Sequence, residues 1–336
     1  MEGPLWTDEY APTIADLPQD GARQYLQQAV DEPLNLVLYG PPGAGKTAAV
    51  RALAREAHSD VEGDLVELNV ADFFGRTKKE VSQDPRFASF MSSKRRRESS
   101  KADLINHVLK ESASYAPIAG TYKTLMLDNA EAIREDFQQA LRRVMERHHE
   151  TTQFVITTRQ PSKLIAPITS RCVPLAMGAP TDSEVVGILE GIAESEGVEH
   201  DTEGLAYLAS YADGDLRKAI LGAQTTAEQE GEITMTAAYE ALGDVGFDDR
   251  IEEMVGKAEK GEFTDARSTL DDLLVDEGLE GGEILESVLK ELRSRRGGRE
   301  LAATYELAGR VDMDLTEGTS DRIQLSRLLA ELGREA

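Results

Sequence analysis

Gly40-Pro41-Pro42-Gly43-Ala44-Gly45-Lys46-Thr47 is the stretch of sequence that decides the fold. It fits the pattern G-x-x-x-x-G-K-[ST] in full, after an apolar run at 34–39 and before apolar residues at helical spacing over 47–57. In such a strand–loop–helix unit, backbone N–H groups and the helix N-terminus surround a β-phosphate. We expect Lys46 to reach the β- and γ-phosphates and the Thr47 hydroxyl to ligate Mg²⁺. The eight residues therefore predict a site for ATP or GTP.

Further apolar runs place this loop within an α/β domain. We expect strands at 34–39, 65–69, 124–128, 153–158 and 172–177, with helices between them, which is typical of a mostly parallel sheet. The helix near 134–148 carries Phe137, Leu141, Val144 and Met145 on one face. A polar segment at 75–101 interrupts the alternation and is interpreted as an insertion. The predicted nucleotide-binding domain covers 1–178.

The remainder of the sequence has helical periodicity. Thr181 and Glu184 form the pattern of a capping box and open a small helical lid domain over 179–243. Apolar residues at helical spacing continue to the end of the chain, so 244–336 is predicted to be a third, all-α domain. The expected architecture is thus a nucleotide-binding domain, a helical lid and a helical collar.

The charge balance of the chain is strongly acidic. Its 336 residues include 62 acidic and 37 basic side chains, for a formal net charge of −25. Disorder is one interpretation of such a composition, but apolar residues make up 40% of the chain in periodic runs. We therefore expect a folded protein with an acidic, lysine-poor surface suited to molar salt, as in a halophile. A protein of this charge binds nucleic acid poorly unless it has a local basic patch.

Other sequence features bear on the location of the protein. Cys172 is the single cysteine, so no internal disulfide is possible, and we interpret it as a small buried residue rather than a nucleophile. The sequence has no apolar run approaching 18 residues, and its first residues do not resemble a signal peptide. The expected location is the cytoplasm, with no membrane partner.

A second nucleotide motif ends the run 124–128. Asp128 is predicted to hold the Mg²⁺ water shell opposite Thr47. Asn129 follows, at the position where motors with these two nucleotide motifs usually carry a glutamate that polarises the attacking water. An amide can orient a water molecule but cannot accept its proton. Glu131 lies nearby in sequence, although its direction is left open.

Several motifs together resemble the small subunits of replication factor C, the clamp loaders of the AAA+ group. The similar segments are 6–12 (W-T-D-E-Y-A-P), 67–72 (E-L-N-V-A-D), 138–146 (Q-Q-A-L-R-R-V-M-E), 170–172 (S-R-C), 214–217 (G-D-L-R), and 315–318 with 322–325. The S-R-C box is the most specific of these, and the resemblance covers nearly the whole chain.

The resemblance implies roles for individual residues. Arg171 would be an arginine finger for the ATP of a neighbouring subunit, and Arg217 a lid residue that senses the γ-phosphate. Tyr10 and Pro12 lie in the segment that packs over the adenine in the family. Arg159 stands where family members have asparagine, which with Asn129 puts two water-handling positions out of pattern. The sequence thus predicts ATP and Mg²⁺ binding without efficient hydrolysis.

Partners are also implied by the resemblance: the large and other small clamp-loader subunits, a sliding clamp and primed double-stranded DNA. Candidate DNA contacts are the basic residues in and beside the insertion, namely Lys78, Lys79, Lys94, Arg95, Arg96, Arg97 and Lys101. A solvated charge run is the alternative interpretation of these residues. Two other functions stay open at this point: a non-hydrolysing scaffold that supplies Arg171 and the collar, and another AAA+ DNA motor.

Overall fold

The computed structural model describes residues 4–70, 79, 100–118, 120–243, 248–275, 278–317 and 320–335. The chain divides into two compact units, Met1–Ala238 and Tyr239–Ala336. The predicted boundary between nucleotide-binding and lid domains, at 178, falls inside the first unit. In the described part of the chain, no helix is both long and apolar enough to cross a membrane.

A parallel sheet lies at the centre of the first unit. Its described strands are β1 (Leu36–Tyr39), β2 (Leu65–Asn69), β3 (Lys123–Asp128), β4 (Thr152–Thr158) and β5 (Val173–Ala176). They are arranged in the order β2-β3-β4-β1-β5, and every pair is parallel. The predicted strands and their parallel pairing are confirmed, with ends that differ by at most two residues. All carboxyl ends therefore meet at one edge of the sheet, where open α/β sheets bind ligands.

Both faces of the sheet are covered, as expected for parallel strands. The helices of the first unit are α1 (Trp6–Glu9), α2 (Asp20–Asp31), α3 (Lys46–Ala57), α4 (Val61–Asp64), α5 (Lys101–Ser114), α6 (Glu135–His148), α7 (Ala166–Thr169), α8 (Asp182–Glu196), α9 (Thr202–Ala212) and α10 (Leu216–Glu230). Successive strand residues alternate between the two cores. Leu125 and Leu127 pack into the core with Phe137 and Leu141 of α6, whereas Met126 packs into the core with α2 and α3.

Local sequence signals determine where the lid helices begin. Thr181 and Glu184 form the predicted capping box at the start of α8. Asp201 and Asp215 cap α9 and α10, each accepting a hydrogen bond from a backbone N–H three residues on. A short parallel pair, β6 (Glu199–His200) with β7 (Glu232–Ile233), joins the ends of this region.

The second unit is helical in its described residues. It contains α12 (Asp248–Glu259), α13 (Phe263–Val275), α14 (Gly281–Arg295), α15 (Gly298–Glu317) and α16 (Asp321–Glu335), and α11 (Met235–Gly243) crosses the boundary between the units. One core holds these helices together, with Leu270, Leu285, Val311 and Leu329 fully buried in it. The all-α character predicted for the C-terminal part of the chain is confirmed.

Candidate nucleotide-binding site

The phosphate loop connects β1 to α3 at the ligand-binding edge of the sheet. Its glycines are required by the geometry: Gly43 and Gly45 have φ values of 67° and 85°. A Cβ at Gly40 would lie 1.9 Å from the backbone oxygen of Met177, so only glycine fits there. Pro41 and Pro42 are exposed, whereas Ala44 is buried beneath the loop. The sequence motif therefore folds as the predicted loop at the N-terminus of a 12-residue helix.

Lys46 lies over the loop that precedes it. Its Nζ donates to the carbonyl oxygens of Gly40 (2.9 Å) and Pro41 (2.6 Å). Burial lowers the pKa of this ammonium group, an effect opposed by the nearby carboxylates of Glu131 and Asp128. Both hydrogen-bond partners of Lys46 are neutral carbonyl groups, so they do not neutralise its positive charge, which can attract a phosphate.

Thr47 and Asp128 face each other, as predicted. The Thr47 hydroxyl lies 3.2 Å from both carboxylate oxygens of Asp128, and Thr157 of β4 donates a second hydroxyl to the same carboxylate. Carboxylate and hydroxyl oxygens are the hard donors that Mg²⁺ prefers. The described residues contain no cluster of three or more His, Cys, Asp or Glu side chains suited to a metal. A Mg²⁺ that takes its other ligands from phosphates and water does not need one, so the residues fit this ion.

Asn129 occupies a left-handed backbone conformation, with φ 56° and ψ 50°. Asparagine tolerates this region better than most residues with a side chain. Its backbone N–H donates to the Thr157 hydroxyl at 3.3 Å, which fixes the turn after β3. The side chain offers an amide, not a base, at the position next to Asp128.

Glu131 is the carboxylate whose direction the sequence left open. The short 3₁₀ turn Ala130–Ala132 brings it against the end of β4. There it accepts hydrogen bonds from Arg159 Nε (2.7 Å), the Arg159 N–H (3.2 Å) and the Thr158 hydroxyl (3.1 Å). Burial alone would raise the pKa of Glu131, but these hydrogen bonds lower it overall. Three donors hold this carboxylate in its ionised form and away from a role as a free base.

Arg171 follows α7 and has its guanidinium group ordered by its own chain. Nη2 lies 2.6 Å from Glu146 Oε1 of α6, and Nη1 donates to the Pro167 carbonyl at 2.7 Å. Arg142 binds the same carboxylate at 3.0 Å, so one glutamate serves two cations. Sequence reasoning missed Glu146. The signal for it is the spacing of Arg142 and Glu146, which puts both on one face of a helix.

The lid reaches the phosphate loop through the first residues of α10. Leu216 N–H donates to the Gly43 carbonyl at 3.2 Å, and a Cβ at Gly43 would lie 2.0 Å from Asp215 Oδ1. Arg217 lies next to them and is exposed. The structure thus brings the G-D-L-R segment to the loop, with the lid carboxylate rather than Arg217 in contact with Gly43.

The N-terminal segment is attached to the lid and to α3. The Tyr10 hydroxyl donates to Glu196 at 2.7 Å, which raises the pKa of Tyr10 to about 12. The Pro12 carbonyl accepts a hydrogen bond from Arg55 at 2.6 Å. Trp6 is buried, and its backbone N–H donates to Gln224 Oε1 of α10 at 3.0 Å. Of the two residues predicted to lie near the adenine, Tyr10 therefore contacts the lid helix α8 and Pro12 contacts α3.

Most of the candidate DNA contacts lie outside the described residues. These are Lys78, Lys94, Arg95, Arg96 and Arg97, together with most of the insertion predicted at 75–101. Lys79 is described and is exposed in helical backbone, and Lys101 is the first residue of α5. The assignment of these residues to DNA stays a prediction.

Comparison with known proteins covers both units of the chain. Residues 36–176 match the family described as ATPase family associated with various cellular activities (AAA), and residues 248–331 match the replication factor C C-terminal domain. The replication factor C small subunit of Methanocella arvoryzae is 32% identical over 98% of this chain and 96% of its own length. That of Halobacterium salinarum is 32% identical over 99% and 97%, and that of Sulfolobus acidocaldarius 34% identical over 99% and 96%.

A solved structure shares the fold at lower identity. A RuvB variant of Thermotoga maritima aligns with a TM-score of 0.53 and 15% identity over 78% of this chain and 87% of that one. This likeness supports the arrangement of sheet and helices described above. The sequence relatives, by contrast, match nearly the whole chain.

Proposed function

The chain belongs to the replication factor C small subunits of the AAA+ ATPases, and we propose from this premise that it is an ATP-dependent clamp-loader subunit in DNA replication. The observation that carries the proposal is the Lys46–Thr47–Asp128 arrangement in a chain related over its full length to these subunits. The complex would contain a large subunit and other small subunits, open a sliding clamp and close it around primed DNA. As a replication factor it would work in the cytoplasm, with the chromosome.

The nucleotide would be ATP with Mg²⁺, held at the edge of the sheet. Backbone N–H groups of 43–47 and the N-terminus of α3 would surround the β-phosphate, and Lys46 would exchange its two carbonyl partners for phosphate oxygens. Thr47 and Asp128 would hold Mg²⁺, which supplies charge neutralisation between the β- and γ-phosphates. Domain roles follow the same scheme, with 1–178 binding nucleotide, 179–243 acting as lid and 244–336 as the collar that joins subunits.

We propose further that this subunit's own site hydrolyses ATP poorly. Asn129 cannot accept a proton, and Glu131 is occupied by Thr158 and Arg159. No other carboxylate follows Asp128 closely enough in sequence to replace the base. The site would bind ATP and use it to stabilise the structure of the subunit more than to support turnover.

Arg171 would act on a neighbouring subunit's ATP. Its guanidinium group is already oriented by Glu146 and the Pro167 carbonyl, so little conformational freedom is lost when it meets a phosphate. Arginine fingers of this kind contribute roughly 10³- to 10⁵-fold to hydrolysis. The subunit would therefore give its neighbour a catalytic group while its own site turns over slowly.

The test is ATP hydrolysis by the complex reconstituted in molar salt with sliding clamp and primed DNA. Arg171→Ala in this subunit alone should reduce stimulated turnover to near the unstimulated level. Arg134→Ala is the matched control, because Arg134 is exposed and, among the described residues, forms its ion pair with Asp136 two residues on. Unchanged turnover in Arg171→Ala would contradict the finger and leave the activity to other subunits.

A second candidate function is a scaffold whose ATP is structural. The occupied Glu131 and the amide at 129 favour it. Lys46→Ala separates the two: in the assembled complex, loss of a full site's share of turnover shows a working motor site, whereas unchanged turnover supports the scaffold. The third interpretation is another AAA+ DNA motor. The RuvB structure, at 15% identity, supports the fold alone, whereas the match to replication factor C small subunits covers 98% of the chain at 32% identity.

A further inference from the structure

The phosphate loop does not distinguish ATP from GTP, because its contacts are to phosphates that both nucleotides share. A group that selects the base must lie beyond the loop but within the length of one nucleotide. Gln19, the residue before α2, is in such a place. Its Nε2 donates to the Ala44 carbonyl within the loop (3.3 Å) and to the Gly178 carbonyl before the lid (2.8 Å).

These two contacts determine which terminal atom of the Gln19 amide is nitrogen and which is oxygen. Exchange of nitrogen and oxygen would set the amide oxygen against two carbonyl oxygens, all of them acceptors. Oε1 therefore points away from Ala44 and Gly178. Among the residues that the structure describes, this oxygen is buried and has no hydrogen-bond donor. A buried acceptor left unpaired is unfavourable, so the site favours a ligand that brings a donor.

We propose that Gln19 Oε1 accepts a hydrogen bond from the 6-amino group of adenine and makes this site selective for ATP. The inference rests on the proposed nucleotide site and adds the residue that selects the base. Guanine carries an oxygen at position 6, which would meet Oε1 as a second acceptor and be rejected. The adenine amino group supplies the missing donor.

The Gln19 amide lies near the contact between the lid and the phosphate loop. The hydrogen bond from Leu216 N–H to the Gly43 carbonyl holds α10 on the loop, close to Ala44. Gly178 begins the connection to the lid, so the Gln19 amide lies where the loop, the connection and the lid meet. Because Oε1 is buried, a neighbouring group must move before the base can reach it, and the adenine amino group would then give this acceptor its hydrogen bond.

The experiment compares dissociation constants of the full-length chain for ATP, GTP and purine riboside 5′-triphosphate, which lacks the 6-amino group. In wild type, ATP should bind about tenfold more tightly than purine riboside triphosphate, the ratio for one neutral hydrogen bond. In Gln19→Met, which keeps the side-chain length, that ratio should fall to near one. Gln24→Met, at an exposed position of α2, should keep the wild-type ratio.

Equal ratios in wild type and Gln19→Met would overturn the assignment, as would a wild-type ratio near one. If Gln19→Met binds none of the three nucleotides, Gln19→Glu decides: it keeps an acceptor at this position and should keep the wild-type ratio, and a ratio near one in Gln19→Glu would overturn the assignment. Failure of the nucleotide site itself gives a different result: ATP binding would then be absent from wild type. Neither clamp nor DNA is needed, so the outcome does not depend on clamp loading.

Discussion

At the scale of single residues, the weak hydrolysis that we propose for this site depends on two positions that act together. Asn129 has an amide in a left-handed turn, and Arg159 occupies the Glu131 carboxylate. We expect Asn129→Glu combined with Arg159→Asn to raise hydrolysis at this site by about 10²-fold, the lower end of what a positioned base contributes. Glutamate at φ 56° should also cost about 1–2 kcal/mol of stability.

The measurement is turnover in a complex whose other subunits carry inactivated phosphate loops. Asn129→Gln with Arg159→Asn is the matched control, because it imposes the same backbone strain without a carboxylate. A similar rate in the glutamate and glutamine variants would show that a carboxylate at position 129 is not what this site lacks.

Gly43 makes a second prediction at residue scale, since it combines a φ of 67° with contact to the lid. Gly43→Ala should lower stability by about 1–3 kcal/mol and weaken ATP binding, because its methyl group would overlap Asp215 Oδ1. Gly21→Ala, in α2 with open space around it, should instead leave binding unchanged and raise stability by up to about 1 kcal/mol. Thermal unfolding and ATP titration of both variants test this, and equal effects at the two glycines would contradict it.

At the scale of elements, β3 is tied to the end of α5 by a buried lysine. Lys123 has no exposed surface; its Nζ donates to the Tyr115 carbonyl at 2.6 Å and lies 3.2 Å from the centre of the Tyr115 ring. Burial lowers the pKa of Lys123 to about 8. Between pH 8 and about 10.4 the unfolded chain therefore binds more protons at this residue, and stability rises with pH.

The rise should be at most about 3 kcal/mol, since one pKa unit corresponds to about 1.4 kcal/mol. Denaturant unfolding from pH 7.5 to 10 measures it. Lys123→Met should remove this part of the pH dependence, whereas Lys163→Met, at an exposed position, should keep it. A wild-type slope that persists in Lys123→Met would assign the effect to other groups.

The elements were largely predictable from sequence, and their contacts were not. Apolar runs located the five strands of the central sheet but not the short pair β6 and β7. Residues 34 and 35 lie outside β1, and the Asn35 side chain instead accepts a hydrogen bond from Phe154 N–H. Lys123 was left out of its strand because nothing local indicates the Tyr115 carbonyl that satisfies it. The phosphate loop follows from its motif alone, whereas the Glu131–Arg159 pair depends on a 3₁₀ turn meeting the end of another strand.

At the scale of the whole molecule, added salt changes folding stability in two opposite ways, because it screens both the repulsion that comes from the net charge and the attraction within ion pairs. The chain carries a formal charge of −25, and its self-repulsion weakens as the Debye length falls from about 10 Å at 0.1 M to about 3 Å at 1 M. Surface pairs such as Arg310–Glu306 and Arg334–Glu331 are also screened, but each contributes only about 0–1 kcal/mol. Because the repulsion involves the whole charge, we expect it to dominate.

Melting temperature should therefore rise with KCl, by roughly 5 °C or more between 0.1 M and 2 M, which corresponds to about 3.5 kcal/mol for a chain of this size. Replacing the exposed lid residues Glu190 and Glu194 with lysine changes the formal net charge from −25 to −21 and should reduce the rise of melting temperature with salt. Aspartate at the same positions keeps the charge and should keep the response. A melting temperature that falls with salt in the wild type would show that attractive pairs outweigh the repulsion, and the acidic composition would then need another explanation than stability in molar salt.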